Sequence, residues 1–218
     1  DYLPAEAVAD VIRGLIDKVN AGSREACLLH NLLATQLLDM HQPAEALKAV
    51  EAVLAKAPPN SAERLAAMVA RQQALLASGQ VDAALASLEE IVRINPNNAL
   101  VLNNLAYLLA DQANRPAEAL PYAERARELN GTDPSVLDTL GWVYIRNGRN
   151  EQAEAALKEA LAQEPDNAAA NYHLGVLYQA TGRMSAARVA LQRALECAAN
   201  DKNDEIQKKA QEALDGLR

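Results

Sequence analysis

The chain has 218 residues with 9 Gly, 9 Pro, no Phe and 50% hydrophobic residues. Its bulk is Ala, Leu, Glu, Gln, Lys and Arg, which lose little freedom in a helix, while strand-favouring β-branched and aromatic residues are sparse; an all-α fold is predicted and a sheet excluded. A net charge of −8 argues against nucleic acid, since phosphate binding needs clustered Lys and Arg, and makes a basic partner easier to accommodate than an acidic one.

Residues 1–26 open with Pro4-Ala5-Glu6-Ala7-Val8 and continue through Val11, Ile12, Leu15, Ile16 and Val19, an apolar stripe at helical spacing. Proline is tolerated there because its missing N–H has no partner to lose in the first turn. Pro43-Ala44-Glu45-Ala46-Leu47 and Pro116-Ala117-Glu118-Ala119-Leu120 repeat this opening. The first helix therefore reads as the second half of a helix pair whose first half is cut away, followed by a turn at Asn20 to Ser23. The start at Asp1, with no charged-then-apolar leader, fits a fragment or a processed product.

Residues 27–60 form the first full pair, with Leu33, Ala34, Leu37, Ala46, Val50, Val53 and Pro58 at positions that recur downstream. Its turn carries His41 where three later pairs have Gly79, Gly148 and Gly182. That place suits a left-handed backbone, which glycine adopts freely and His tolerates better than most. Residues 61–98 are the second pair, in which Ser61 to Arg64 read as a short insertion adding a turn to the next helix. Leu75, Gly79, Ala84, Leu88, Ile91 and Pro96 keep the pattern, and Arg71 and Gln72 break it.

The third pair, residues 99–133, has Leu105, Ala106, Leu109, Ala119, Ala123 and Ala126, with one extra residue in the Ala113-Asn114 turn. Pro121 lies inside its second helix, where a lost hydrogen bond costs up to ~3 kcal/mol and predicts a local kink. Asp133-Pro134 opens the fourth pair, residues 134–167, as N-cap and first helical residue. The fifth, residues 168–201, has Leu174, Gly175, Tyr178, Gly182, Ala187, Leu191 and Ala194, with Ala199 where proline closes other pairs. In residues 202–218, Asn203 or Asp204 caps a last helix whose Ile206, Ala210, Ala213, Leu214 and Leu217 cover the end of the stack.

Catalysis needs a nucleophile with its base, a metal cluster or a phosphate-cradling glycine loop. None is visible: the glycines stand singly in turns, and the three His are scattered at 30, 41 and 173. No enzyme activity, cofactor or metal is expected. No apolar run of ~18 residues suggests direct membrane insertion.

The set Leu140, Gly141, Tyr144, Ala153, Leu157, Ala160 and Pro165, echoed about every 34 residues over residues 27–201, resembles the tetratricopeptide repeat (TPR). The resemblance implies a single domain over residues 1–218: a right-handed α-solenoid of antiparallel helix pairs with a C-terminal capping helix. Cys27 and Cys197 would then lie several repeats apart as buried thiols, beyond the ~7 Å Cα separation of a disulfide. It also implies a non-catalytic module whose first helices line a concave groove for a protein or peptide segment. Carried onto this chain, the groove positions are Asn31, Thr35, Gln73, Asn103, Asn104, Tyr107, Asp138, Trp142, Arg146 and Tyr172, with Asp39, Val69, Asp111, Val176 and Gln179 beside them. Trp142 reads either as an aromatic anchor or as a side chain covering the seam between repeats; Tyr144 and Tyr178 read as core. The groove lacks the cationic clamp of TPR domains that grip carboxylate tails, and its Asp39, Asp111 and Asp138 outnumber Arg146. Only Asn103 and Asn104 come near the asparagine ladder of a related family of sugar-transferring enzymes.

The phrases Leu102-Asn103-Asn104-Leu105-Ala106-Tyr107 and Leu137-Asp138-Thr139-Leu140-Gly141-Trp142 are similar to bacterial cell-envelope TPR proteins, including those of exopolysaccharide export. This favours periplasm or envelope over cytoplasm. The rival reading is structural: a homo-oligomeric scaffold or spacer whose groove holds nothing.

Overall fold

The computed structural model describes residues 4–59 and 61–217. Among them are twelve helices and no strand: α1 (Ala5–Ile16), α2 (Arg24–Asp39), α3 (Pro43–Leu54), α4 (Ala62–Ala77), α5 (Val81–Ile94), α6 (Ala99–Asp111), α7 (Pro116–Asn130), α8 (Pro134–Arg146), α9 (Asn150–Gln163), α10 (Ala168–Ala180), α11 (Met184–Asn200) and α12 (Asp204–Asp215). The fold is an α-solenoid of helix pairs, α2 with α3 through α10 with α11. Contacts cluster the chain into two compact units, Asp1–Pro96 and Asn97–Arg218.

Two local devices alternate along the chain. The first helix of each pair starts at a polar cap: Ser23, Ser61, Asn98, Asp133 and Asn167 each accept a hydrogen bond from a backbone N–H of the turn they open. Such a cap satisfies one of the orphan donors at a helix start and contributes about 1 kcal/mol. The second helices have no side-chain cap and leave a tight turn instead. In that turn His41, Gly79, Gly148 and Gly182 have φ of 56°, 71°, 73° and 76°.

Their N–H groups bond three residues back and the following N–H bonds five back, as in Arg149 N–H to the Tyr144 carbonyl at 2.9 Å. This is the Schellman closure, which absorbs the last carbonyls of the first helix. Asn114 (φ 53°) does the same work in the longer third turn, where Arg115 N–H reaches six residues back to Leu109. Lys202 (φ 55°) closes α11 in the same way. α2 and α4 each run 16 residues against 13 in α6, α8 and α10, and α4 has Ser61 as cap and Ala62 to Arg64 in its first turn. α7 continues through Pro121 without interruption.

Within each pair the helices close on small residues. A Cβ built on Gly141 would lie 2.6 Å from Leu157 Cγ, and one on Gly175 lies 2.6 Å from Leu191 Cγ. Leu157 and Leu191 are fully buried, each contributing roughly 1.5–3 kcal/mol of hydrophobic stabilisation. In the first unit, Ala34, Leu37, Ala46, Val50 and Val53 make the corresponding core.

Successive pairs are bracketed by tyrosines. Tyr144 O–H donates to Glu124 of α7 at 3.4 Å and the Arg149 guanidinium sits 5.9 Å over its ring. One repeat later Tyr178 O–H donates to Glu154 of α9 at 3.2 Å, under Arg183 at 4.2 Å. Tyr144 is buried and Tyr178 half-buried, so both pack at the seam with a polar tip turned to a charged rim. At the end of the second unit, α12 packs on α10 and α11. Its cap is Asn203, which accepts from Ile206 N–H, and Ile206 joins Ala168, Cys197 and Ala198 in a small core. Cys27 and Cys197 are buried free thiols whose pKa burial pushes up.

Candidate functional site

In the first unit, two of the groove positions are taken up by bonds to the backbone, Asn31 to the neighbouring helix α4 and Thr35 within α2 itself. Asn31 Nδ2 donates to the Glu63 carbonyl of α4 at 2.8 Å, and Thr35 Oγ1 donates to the Asn31 carbonyl at 3.2 Å. Glu63 also accepts from Arg24 at 2.6 Å, and that hydrogen bond holds its carboxyl below the usual range. Gln73 and Asp39 are exposed, and Val69 is exposed on the same helix as Gln73. The polar groups here tie α2 to α4 and form no enclosed set of side chains.

The second unit gathers its candidates more densely. Asn103, Tyr107 and Asp111 come from successive turns of α6; Asp138, Trp142 and Arg146 from the same turns of α8; Tyr172 from α10. Spacing of four residues puts each trio on one helix face. Asp138 is buried and its Oδ1 accepts from Nδ1 of His173 at 2.7 Å. The His173 imidazole stacks on the Trp142 indole with centroids 4.5 Å apart, and Tyr172 meets His173 at 5.5 Å. The Arg146 guanidinium lies 5.5 Å from the centroid of the Trp142 ring and donates to Asn114 Oδ1 at 2.6 Å.

Trp142 is thus a seam residue, 8% exposed, with its ring taken up by α10 and by Arg146. Its Nε1 and the Oδ1 of Asn103 are buried without a hydrogen-bond partner. Tyr107, Asn104 and Tyr172 are only half-buried, so the accessible side chains of this face are the two phenols with the charges around them. Burial pushes the Tyr107 phenol far above its ordinary value, and Asp111, Glu205 and Asp138 add to the rise. Burial raises Tyr172 as well; Lys209 opposes, and Asp111 and Glu212 reinforce. Both phenols therefore stay protonated and can donate.

The helix α12 supplies part of this face. Burial works against the charge of Lys209, yet its hydrogen bond to Glu205 at 2.7 Å, with Asp111 nearby, keeps its pKa above the ordinary range. Capped by Asn203 as the first helices are capped by their Ser, Asn or Asp, α12 stands in a first-helix position and turns Glu205 and Lys209 toward α6 and α10. Sequence reasoning treated α12 only as a cover and set His173 aside as scattered. The available signal was spacing: Asp138 and His173 lie one repeat plus one residue apart, which sets them on adjoining first helices.

Among the described residues no group of three or more His, Cys, Asp or Glu could hold a metal, and no helix is long and apolar enough to cross a membrane. The geometry offers hydrogen bonding, aromatic contact and a field of negative sign.

The comparisons with known proteins agree with the architecture. Family models described as tetratricopeptide repeat match residues 69–134, 112–159 and 144–214, and the chain belongs to the tetratricopeptide repeat family. It is 41% identical over 85 residues to the TPR repeat-containing protein PA4667 of Pseudomonas aeruginosa; the match covers 39% of this chain and 14% of that relative's length. The fold is similar to TTC0263, a TPR protein of Thermus thermophilus (TM-score 0.68, 26% identity, 87% of this chain and 99% of that one). It is similar also to PilW, a type IV pilus biogenesis factor (0.69, 20%, 89% and 94%). YrrB, a TPR protein with an unusual peptide-binding site, superposes with a TM-score of 0.64 at 21% identity over 94% of this chain and 98% of that one. The fold is that of protein-interaction modules.

Proposed function

We propose that the face built by α6, α8, α10 and α12 holds a peptide segment or helix of a partner protein, without catalysis, and that the segment is basic. The observation that carries this reading is the pair of half-buried phenols, Tyr107 and Tyr172, set among Asp111, Asp138, Glu205 and Glu212. The cations of the same face are already engaged, Arg146 with Asn114 and Trp142, Lys209 with Glu205. A Lys- or Arg-bearing segment meets negative potential and aromatic surface together, a pairing that favours cations. An acidic tail meets repulsion.

Fluorescence anisotropy with labelled Lys/Arg-rich and Glu-rich peptides tests this. The basic peptide binds, added salt weakens it, and Tyr107→Ala or Asp111→Asn costs at least about fivefold in Kd, the scale of a ~1 kcal/mol contact. Equal affinity for both peptides, or none lost in the variants, overturns the assignment. We further read the chain as part of a bacterial cell-envelope protein, on the Leu102–Tyr107 and Leu137–Trp142 phrases; fractionation of the source cells checks this.

A further inference from the structure

His173 is the single His of the second unit; His30 and His41 belong to the first. It is 3% exposed, and its Nδ1 meets Oδ1 of Asp138, 8% exposed, at 2.7 Å. Imidazole is the side chain whose ordinary charge change falls between about pH 5 and 8, so an imidazole held on a carboxylate has two charge states to offer. With the ring neutral, the pair carries the negative charge of Asp138; with the ring protonated, it carries none. The Trp142 indole is placed to feel the difference, since its Nε1 makes no hydrogen bond and the two rings stack at 4.5 Å between centroids, 21° from parallel.

The charges on every helix packed against α10 can be traced. α8 brings Asp138 and, beside Trp142, Arg146 bonded to Asn114. α12 brings Glu205, Lys209 and Glu212, which with Asp111 of α6 act on the phenols Tyr107 and Tyr172, the latter 5.5 Å from His173. The charges of α9 and α11 are spent elsewhere: Glu154 on Lys158 and Arg183, Glu159 on Arg127, Arg193 on Asp166 and Glu196, Arg188 on the Leu217 carbonyl. Glu151 is exposed at the start of α9. Carboxylates ordinarily give up their protons below about pH 5, and both phenols and Lys209 are held above their usual values. The imidazole is left as the group whose proton changes the charge of this face.

Given the basic segment assigned to this face, on which this step rests, we propose that His173 is its proton-operated specificity residue. Unprotonated, His173 leaves the Asp138 charge to attract the cationic segment; protonated, it cancels that charge and loosens the segment. Being 3% exposed, it is a positioning residue that acts through Asp138 and Trp142. The sign follows: acid adds one positive charge behind the phenols, so a basic segment binds more weakly at pH 5 than at pH 8. One partly screened charge at this depth corresponds to about threefold in affinity. Linkage makes the effect reciprocal, since a bound cationic segment weakens the hold on the proton by the same factor.

Imidazolium stacked on indole quenches its fluorescence far more than neutral imidazole does, so Trp142 emission of the chain alone, followed from pH 8 to pH 5, reads the proton directly. A quench is expected, absent from His173→Gln, whose amide can still donate to Asp138 but takes up no proton. An acetylated, His-free Lys/Arg-rich peptide followed by anisotropy binds about threefold more weakly at pH 5 than at pH 8, and His173→Gln removes that dependence. With peptide saturating, the midpoint of the quench moves about half a pH unit to the acid side, the same threefold factor. If His173→Gln does not fold, the equality of those two factors in the parent chain is the test. Emission that stays constant over the range overturns the proton site, whether or not the peptide binds. A quench with unchanged peptide affinity overturns the coupling. A quench with no peptide binding at either pH overturns the basic-segment assignment and the coupling with it.

Discussion

Gly141→Ala tests how the pairs are held together. The new Cβ would sit 2.6 Å from Cγ and 2.8 Å from Cδ2 of Leu157. Cγ is the branch point of a fully buried side chain, so Leu157 has no free direction in which to swing. Overpacking of this kind costs about 1–3 kcal/mol, while replacing glycine in a helix interior returns about 0.5–1 kcal/mol. A net loss of about 1 kcal/mol follows, or about 2–4 °C in melting temperature for a chain of this length. Urea titration followed by helix circular dichroism measures it.

Leu157→Ala alone costs about 2–5 kcal/mol, and the double variant loses less than the sum, because the methyl introduced by Gly141→Ala then fills part of the vacated space. Coupling of at least about 0.5 kcal/mol is expected from side chains in direct contact. A Gly141→Ala protein as stable as the parent, or additive energies in the cycle, would refute the close-packing argument.

Gly148→Ala isolates the other glycine role: its Cβ would meet nothing within 4 Å, so the loss of about 1 kcal/mol comes from φ of 73° alone, and Gly148→Asn is milder in the same urea assay. Deleting residues 203–218 uncovers Ala168, Cys197 and Ala198 beneath Ile206; the loss of that side chain alone costs roughly 1.5–3 kcal/mol, seen as a lower calorimetric transition, and an unchanged one contradicts the capping role. Hydrogen bonds from Lys158, and also from Arg183 and Tyr178, hold the Glu154 carboxyl below the usual range. Its contribution is present above the ordinary carboxylate range and lost as pH falls through the depressed value; Glu154→Gln shows a shallower acid-side loss of melting temperature.

The solenoid was legible because its determinants are local. His41 stands in for glycine in a turn that only φ demands, Asp133 caps a helix whose first residue is proline, and Ala34, Gly141 and Gly175 mark the close approach of two helices. Each of these is written in a few adjacent residues. Lys202, by contrast, takes a left-handed backbone that its side chain does not announce.

The face of the second unit was half legible. The spacing of Tyr107, Asp138, Trp142 and Arg146 names the helix side, but the use of each side chain depends on neighbours from other repeats. Trp142 is spent on His173, Asn31 on the Glu63 carbonyl, and the charges of α12 reach α6 and α10 only through tertiary packing.

Trp142 is the sole tryptophan, and it lies at the seam beneath the face assigned to the partner, stacked on His173 beside Tyr172, so its fluorescence reports on that region alone. Titration with the Lys/Arg-rich peptide is predicted to give a saturable change in Trp142 emission at the concentrations where anisotropy shows binding, lost together with it in Tyr107→Ala. Binding by anisotropy with Trp142 emission unmoved would put the peptide elsewhere and contradict the account.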